Sequence, residues 1–253
     1  MSQNKLVLNS DKTHLMVMAS SHKHRKYNEF GIYLDTGTEI IEPLEDEKLL
    51  GAQLANNFTW NCHIRDDEKS MFKILTAKNN ALRKISQVAN FKTRKMVASG
   101  LITSTLTYII QAYGSCSDYL LDMLQVQQNR AARNVTRLPW HTSTATLLLQ
   151  CGWLSMRQLV MFHSLALLFK IRHVKKPVYL FDKIIADPRR TRSTETTDLR
   201  DTRCFRTSTA KKMFVPRTVQ QWNDLPPDLH ACKTLNSFKI KLKAHIKENM
   251  PIK

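Results

Sequence analysis

Between residues 5 and 54 apolar and polar side chains alternate. Leu6 and Leu8, then Leu15 and Val17, flank Asn9-Ser10-Asp11-Lys12, a run of turn-forming residues. Phe30, Ile32 and Leu34 alternate up to a second turn, Asp35-Thr36-Gly37-Thr38, and Ile40 resumes the pattern. Ser20-Ser21-His22-Lys23-His24-Arg25-Lys26 reads as a polar, basic loop between them, and Leu49–Leu54 as a fifth short strand. A small antiparallel sheet is predicted.

From Lys69 the period lengthens to about 3.6 residues. Met71, Leu75, Leu82 and Ile85 share one helical face, with Lys69, Lys73, Arg83 and Lys84 on the other. Asp66-Asp67-Glu68 reads as the dipole-favourable first turn of that helix. A long helical stretch runs through Met96, Leu101, Ile102, Leu106, Ile109, Ile110 and Tyr113, with Gly100 as a point of close packing. Leu120, Met123, Leu124, Ala131 and Val135 outline the next helix, ended by Leu138-Pro139. Thr144 to Cys151 is a short helix with Gly152 as its C-cap. Ser155-Met156-Arg157-Gln158 has the form of a capping box and opens a helix that continues to Ile171. A last amphipathic helix carries Phe238, Leu242 and Ile246 four residues apart.

Composition sharpens this picture. Only 6 of 253 residues are glycine, which argues against Gly-rich phosphate loops and turn-rich all-β folds. The net charge is +18 and unevenly placed: residues 1–68 hold 7 basic and 11 acidic side chains, residues 69–253 hold 32 and 10. A basic region of that length points to a polyanionic partner, nucleic acid before an anionic membrane. No run of 18 apolar residues marks a membrane span, and Leu15–Ala19 is too short for a signal-peptide core. Cys62, Cys116, Cys151, Cys204 and Cys232 are scattered and odd in number, which fits free thiols in a reducing compartment. Cys62-His63 and His230-Ala231-Cys232 belong to no four-ligand set, so no metal site is expected. Nucleophilic catalysis has no signature motif here either.

Several fragments follow one another in order. Leu8-Asn9-Ser10-Asp11-Lys12-Thr13 leads into Leu15-Met16-Val17, and Ile32-Tyr33-Leu34-Asp35 precedes a turn and Ile40-Ile41-Glu42. Leu50-Gly51-Ala52-Gln53-Leu54 has Phe58-Thr59-Trp60-Asn61-Cys62-His63-Ile64 behind it. Then come Leu124-Gln125-Val126-Gln127-Gln128-Asn129-Arg130-Ala131-Ala132-Arg133 and Gly152-Trp153-Leu154-Ser155-Met156-Arg157. Trp222-Asn223-Asp224-Leu225-Pro226 and Ser237-Phe238-Lys239 close the series. This succession, spanning residues 6–239, resembles the region downstream of the catalytic aspartates in non-LTR (LINE, jockey-like) retrotransposon reverse transcriptases. Leu49 and Ala55 depart from the family's usual tyrosine and aspartate. The aromatic-x-Asp-Asp turn of the family is absent, since Asp66-Asp67 follows the Trp60 motif.

The resemblance implies an α+β fold, mostly α. It places the last palm strands of a polymerase in residues 1–64 and a helical thumb and connection region in 65–186. A basic linker then occupies 187–217 and a C-terminal segment with the amphipathic helix 218–253. It implies a truncated RNA-directed DNA polymerase fragment, inactive alone, that keeps a template–primer binding surface. Its partner would be RNA or DNA, with no membrane, inside the cell in nucleus or cytoplasm. No cofactor is expected in the fragment, Mg²⁺ belonging to the full-length enzyme. Lys12 stands where the family has a lysine near the incoming triphosphate, but without the catalytic core it reads better as a solvated turn lysine. Candidate backbone contacts are Lys69, Lys73, Arg83, Lys84, Arg94, Lys95, Arg130 and Arg133, which lie on polar faces of predicted helices. The alternative is a non-enzymatic, basic helical nucleic-acid-binding or interaction protein derived from such an element.

Overall fold

In the computed structural model, which describes residues 9, 12–19, 23, 31–37, 39–186, 199–201 and 207–250, the N-terminal strands pair as separate hairpins. β1 (Leu34–Asp35) pairs antiparallel with β2 (Ile40–Ile41), and β3 (Asp46–Leu49) with β4 (Ala52–Ala55). Leu15 makes only an isolated bridge to Pro43. Leu6, Leu8 and Phe30 lie outside the described residues. The fifth strand expected over Leu49–Leu54 is instead the tip of a hairpin, because Leu50 and Gly51 both adopt positive φ (48° and 82°). Two such residues in succession are what a two-residue type I′ turn requires.

The chain divides into two units, Met1–Lys73 and Ile74–Lys253. In the first, a π-helical turn (Cys62–Asp66) follows the hairpins, with Ile64 wholly buried. Trp60 meets His63 edge-on at 5.9 Å, and the backbone N–H of Gln53 on β4 donates to His63 Nδ1 at 3.4 Å. The acidic run does not open a helix. Asp66 ends the π turn, Asp67 is its extended cap, and α1 (Met71–Ser86) starts only at Met71.

The second unit is mostly helical. Its elements are most of α1, then α2 (Phe91–Ala98), α3 (Ser104–Thr107), α4 (Ile110–Tyr113), α5 (Asp118–Thr136), α6 (Thr144–Cys151) and α7 (Met156–Val174). There follow α8 (Val178–Phe181), the pair β5 (Ile184–Ala186) and β6 (Leu199–Asp201), α9 (Ser208–Lys212), α10 (Phe214–Asn223), α11 (Pro227–His230) and α12 (Leu235–Asn249). The long helix expected from Met96 to Tyr113 is broken. A π turn (Ser99–Thr103) widens it, and Ile109 takes a left-handed conformation between α3 and α4. Gly100 faces open space; the glycine that permits close packing is Gly114, where a Cβ would stand 2.6 Å from Val160 Cγ1.

Local chemistry explains the α7 ends. Ser155 Oγ accepts from Gln158 N while the Gln158 side chain accepts from Ser155 N at 2.9 Å, completing the capping box. Gly152 caps α6 at φ 66°. The core gathers aromatic rings from four helices. Phe169 stacks on Phe238 at 4.4 Å and on His173 at 3.9 Å, while Trp222 stacks on His230 at 4.8 Å and lies under the Arg172 guanidinium at 4.8 Å. Trp222 and Leu225 therefore act as packing residues.

A buried polar ladder joins α1 to α5. Asn79 Nδ2 donates to the Gln127 carbonyl and to Gln127 Oε1, both at 3.1 Å. Gln127 Nε2 donates to Thr76 Oγ1, and Asn134 Nδ2 to the Asn79 carbonyl.

In the C-terminal segment expected from residue 218, α10 and α12 both pack on α7 within the second unit. Of the linker expected over 187–217, residues 187–198 and 202–206 lie outside the described residues, whereas 208–212 and 214–217 are helical on either side of an extended Met213. Asn223 clamps β6 to α10 by accepting from Leu199 N (2.9 Å) and donating to Leu199 O (2.8 Å).

Candidate nucleic-acid interface

The cations singled out by sequence lie in different environments. Lys12 is exposed in a turn closed by Lys12 N donating to Asn9 O at 3.2 Å. Lys69 is exposed ahead of α1, Lys73 is exposed in its first turn, and Arg83 and Lys84 are exposed in its last. Arg130 is exposed on α5 and Arg133 is half-buried, its Nε enclosed without a partner.

Arg94 departs from the expectation. It is buried, and its donors go to main-chain acceptors: Nε to Val135 O at 2.7 Å and Nη1 to Ala89 O at 2.9 Å. It ties α2 to the end of α5 and offers no charge to a ligand. Helical periodicity placed it on a polar face, but that face meets the last turn of another helix, whose carbonyls lack helical partners.

Lys95, its neighbour, points elsewhere. Its Nζ lies 3.7 Å from where a Cβ on Gly152 would be, over the turn that joins α6 to α7. The end of α12 arrives at the same turn, because Gln158 Nε2, in the first turn of α7, donates to Met250 O at 2.8 Å. Lys243 and Lys247 stand on that arriving helix, both exposed. The Lys243 ammonium is held below the usual lysine range, first by partial burial and then by repulsion from Lys247 and Lys95. Lys243 is thus repelled both by Lys247, one turn along the same helix, and by Lys95, about 150 residues away in sequence. An anion would relieve that repulsion.

Burial pushes the Cys151 thiol, beneath Lys95, up to about 11 despite the nearby positive charge. Cys116 is pushed up to about 12 for the same reason. Neither is poised as a nucleophile. Among the described residues, no group of three or more His, Cys, Asp or Glu side chains could hold a metal ion. Nor is any single described helix long and apolar enough to cross a membrane.

Sequence reading missed Lys243 and Lys247. A signal was present: from Leu229 to Lys247 there are five lysines and no acidic residue. What the sequence lacked was the third dimension that brings Lys95 to them. No family model, curated protein or solved structure matches this chain.

Proposed function

We propose that this chain is a retrotransposon-derived reverse transcriptase fragment that binds template–primer nucleic acid through its phosphate backbone and performs no chemistry alone. In this reading the two hairpins correspond to the last palm strands, and the helices of the second unit to the thumb and connection region. The order of the sequence motifs supports the family. The observation that carries the binding is the meeting of Lys243, on the helix that ends against the first turn of α7, with Lys247 and with Lys95 beside Gly152, since cations that crowd one another favour a polyanion. Within the second unit Arg83, Lys84, Arg130 and Arg133 add positive charge, and Arg94 does not; Lys69 and Lys73 are candidate contacts of the first unit.

Salt dependence is the test. With about four to six phosphates of a single strand neutralised, log K should fall against log salt with a slope of roughly −3 to −4. Changing Lys95, Lys243 and Lys247 together to glutamine should make the slope shallower by about 2, with helicity preserved because glutamine is a good helix former. A parent that binds no nucleic acid at low salt overturns the binding, and an unchanged slope in the triple variant moves it off this cluster. Primer extension on an RNA template with dNTPs and Mg²⁺ should be absent, and its presence would overturn the reading of an inactive fragment.

A further inference from the structure

Trp140 lies in the loop between α5 and α6, immediately after Arg137-Leu138-Pro139, and its side chain is 84% exposed. The indole meets the neighbouring His141 ring at a right angle, 5.8 Å between centroids. The same chain buries Trp222 to 1% exposure at the centre of its aromatic core, so the surface position of Trp140 is not a general habit of its tryptophans.

The surroundings are cationic. From Met123 to Leu180, and on to Phe181, the sequence has no aspartate or glutamate, while it has eight arginines and lysines. Arg130 and Arg133 stand at i and i+3 on the last turns of α5, and Arg137, the left-handed residue that caps the helix, follows them toward the Trp140 corner. Arg137 donates to the Ser86 carbonyl yet stays exposed, so part of its five-donor fork remains available to solvent.

We propose that Trp140 is a base-stacking platform for single-stranded nucleic acid, with the arginines at the end of α5 holding the phosphates of the same strand. An indole in water offers a flat π face, and every base has one, so stacking is favourable without sequence preference. Arginines beside it add backbone attraction and cation–π contacts. A duplex presents its bases already stacked, so the platform selects single strands. A protein partner would have to supply several carboxylates to these arginines, whereas a nucleic-acid strand carries both the negative charges and the rings. The proposal rests on the reading that the second unit binds nucleic acid, and specifies which form.

The full chain is titrated with three labelled probes of equal length at low salt: an oligo(dT) strand, a fully abasic strand, and a blunt duplex. The parent should prefer oligo(dT) to the abasic strand. Trp140→Ala should weaken oligo(dT) binding roughly five- to a hundredfold, the range expected for one lost base stack. The abasic strand and the duplex should be unaffected. Trp140→Phe should keep the oligo(dT) preference, and circular dichroism should show all variants folded. If Trp140→Ala keeps the parent's affinity for oligo(dT), or loses affinity equally for all three probes, the platform is overturned. If the substitution instead turns a dimeric parent into a monomer without changing strand affinity, the indole is a protein contact and the proposal falls. A parent that binds none of the three overturns the nucleic-acid reading itself.

Discussion

In the first unit, apolar side chains of the strands remain in water: Ile40 is 66% exposed, Leu49 58% and Leu34 40%. In the second, Phe238, Leu242 and Ile246 of a single helix are wholly buried. Both regions have the hydrophobic spacing of their secondary structure, so spacing alone does not produce a core. A two-stranded hairpin has little area to bury, and an isolated one is marginally stable. An amphipathic helix can bury a full stripe against a neighbour, and α12 does so against α7. Burial depends on what faces the pattern.

The sharpest way to break this comparison is to truncate one side chain in each region. Phe238→Ala should destabilise the second unit by about 3–5 kcal/mol, as removal of a buried aromatic ring does, read from the urea midpoint. Leu49→Ala, at an exposed strand end, should change stability by less than about 0.5 kcal/mol. Equal losses would show that the hairpins also form a cooperative core.

A middle-sized effect separates two glycines of the second unit. Gly114→Ala places a methyl 2.6 Å from Val160 Cγ1 and 2.7 Å from the Ile110 carbonyl, and should cost about 1–3 kcal/mol through overpacking. Gly100→Ala meets nothing within 4 Å and should stabilise by roughly 0.5–1 kcal/mol, as alanine does in a helix interior. Thermal unfolding of the two variants should move in opposite directions.

The smallest effect is one of pH. Burial, reinforced by Lys239, holds the His163 imidazole below its usual range, and burial does the same to His63 in the first unit. An unfolded histidine takes up its proton near pH 6.5 while the folded one resists. Stability is therefore present above about pH 6.5 and is lost as pH falls through the lower folded value. Melting followed by helical circular dichroism should drop modestly from pH 7.5 to 5.5, and His163→Gln should reduce that drop. An unchanged drop would assign it to other groups.

Features of the sequence that depend on near neighbours were legible. The Ser155–Gln158 capping box, the Gly152 cap and the Phe238-Leu242-Ile246 stripe each need only a few consecutive residues to form. The hairpin tip at Leu50-Gly51 was missed because leucine is a rare occupant of a left-handed turn position. The break at Ile109 was missed for the same reason: a β-branched residue at φ 48° runs against local preference. The candidate interface was half legible. Exposed lysines and arginines could be named from their helical faces, but Arg94 was lost to the carbonyls of α5. Lys243 and Lys247 gained their meaning only from the arrival of α12 beside Lys95. Charge can be read along the chain, whereas its company depends on tertiary packing.

The ladder of Thr76, Asn79, Gln127 and Asn134 has a consequence for how this protein can vary over generations. Each member satisfies another, so an apolar replacement at one position strands a partner away from water at a cost of about 1–3 kcal/mol. Replacing linked members together removes the stranded group as well, and the combined change should cost less than its parts. A double-mutant cycle on Thr76→Val and Gln127→Leu would register this as a coupling energy. Lineages that keep the α1–α5 contact are therefore expected to inherit these positions as a set, crossing from the polar arrangement to an apolar one by paired steps.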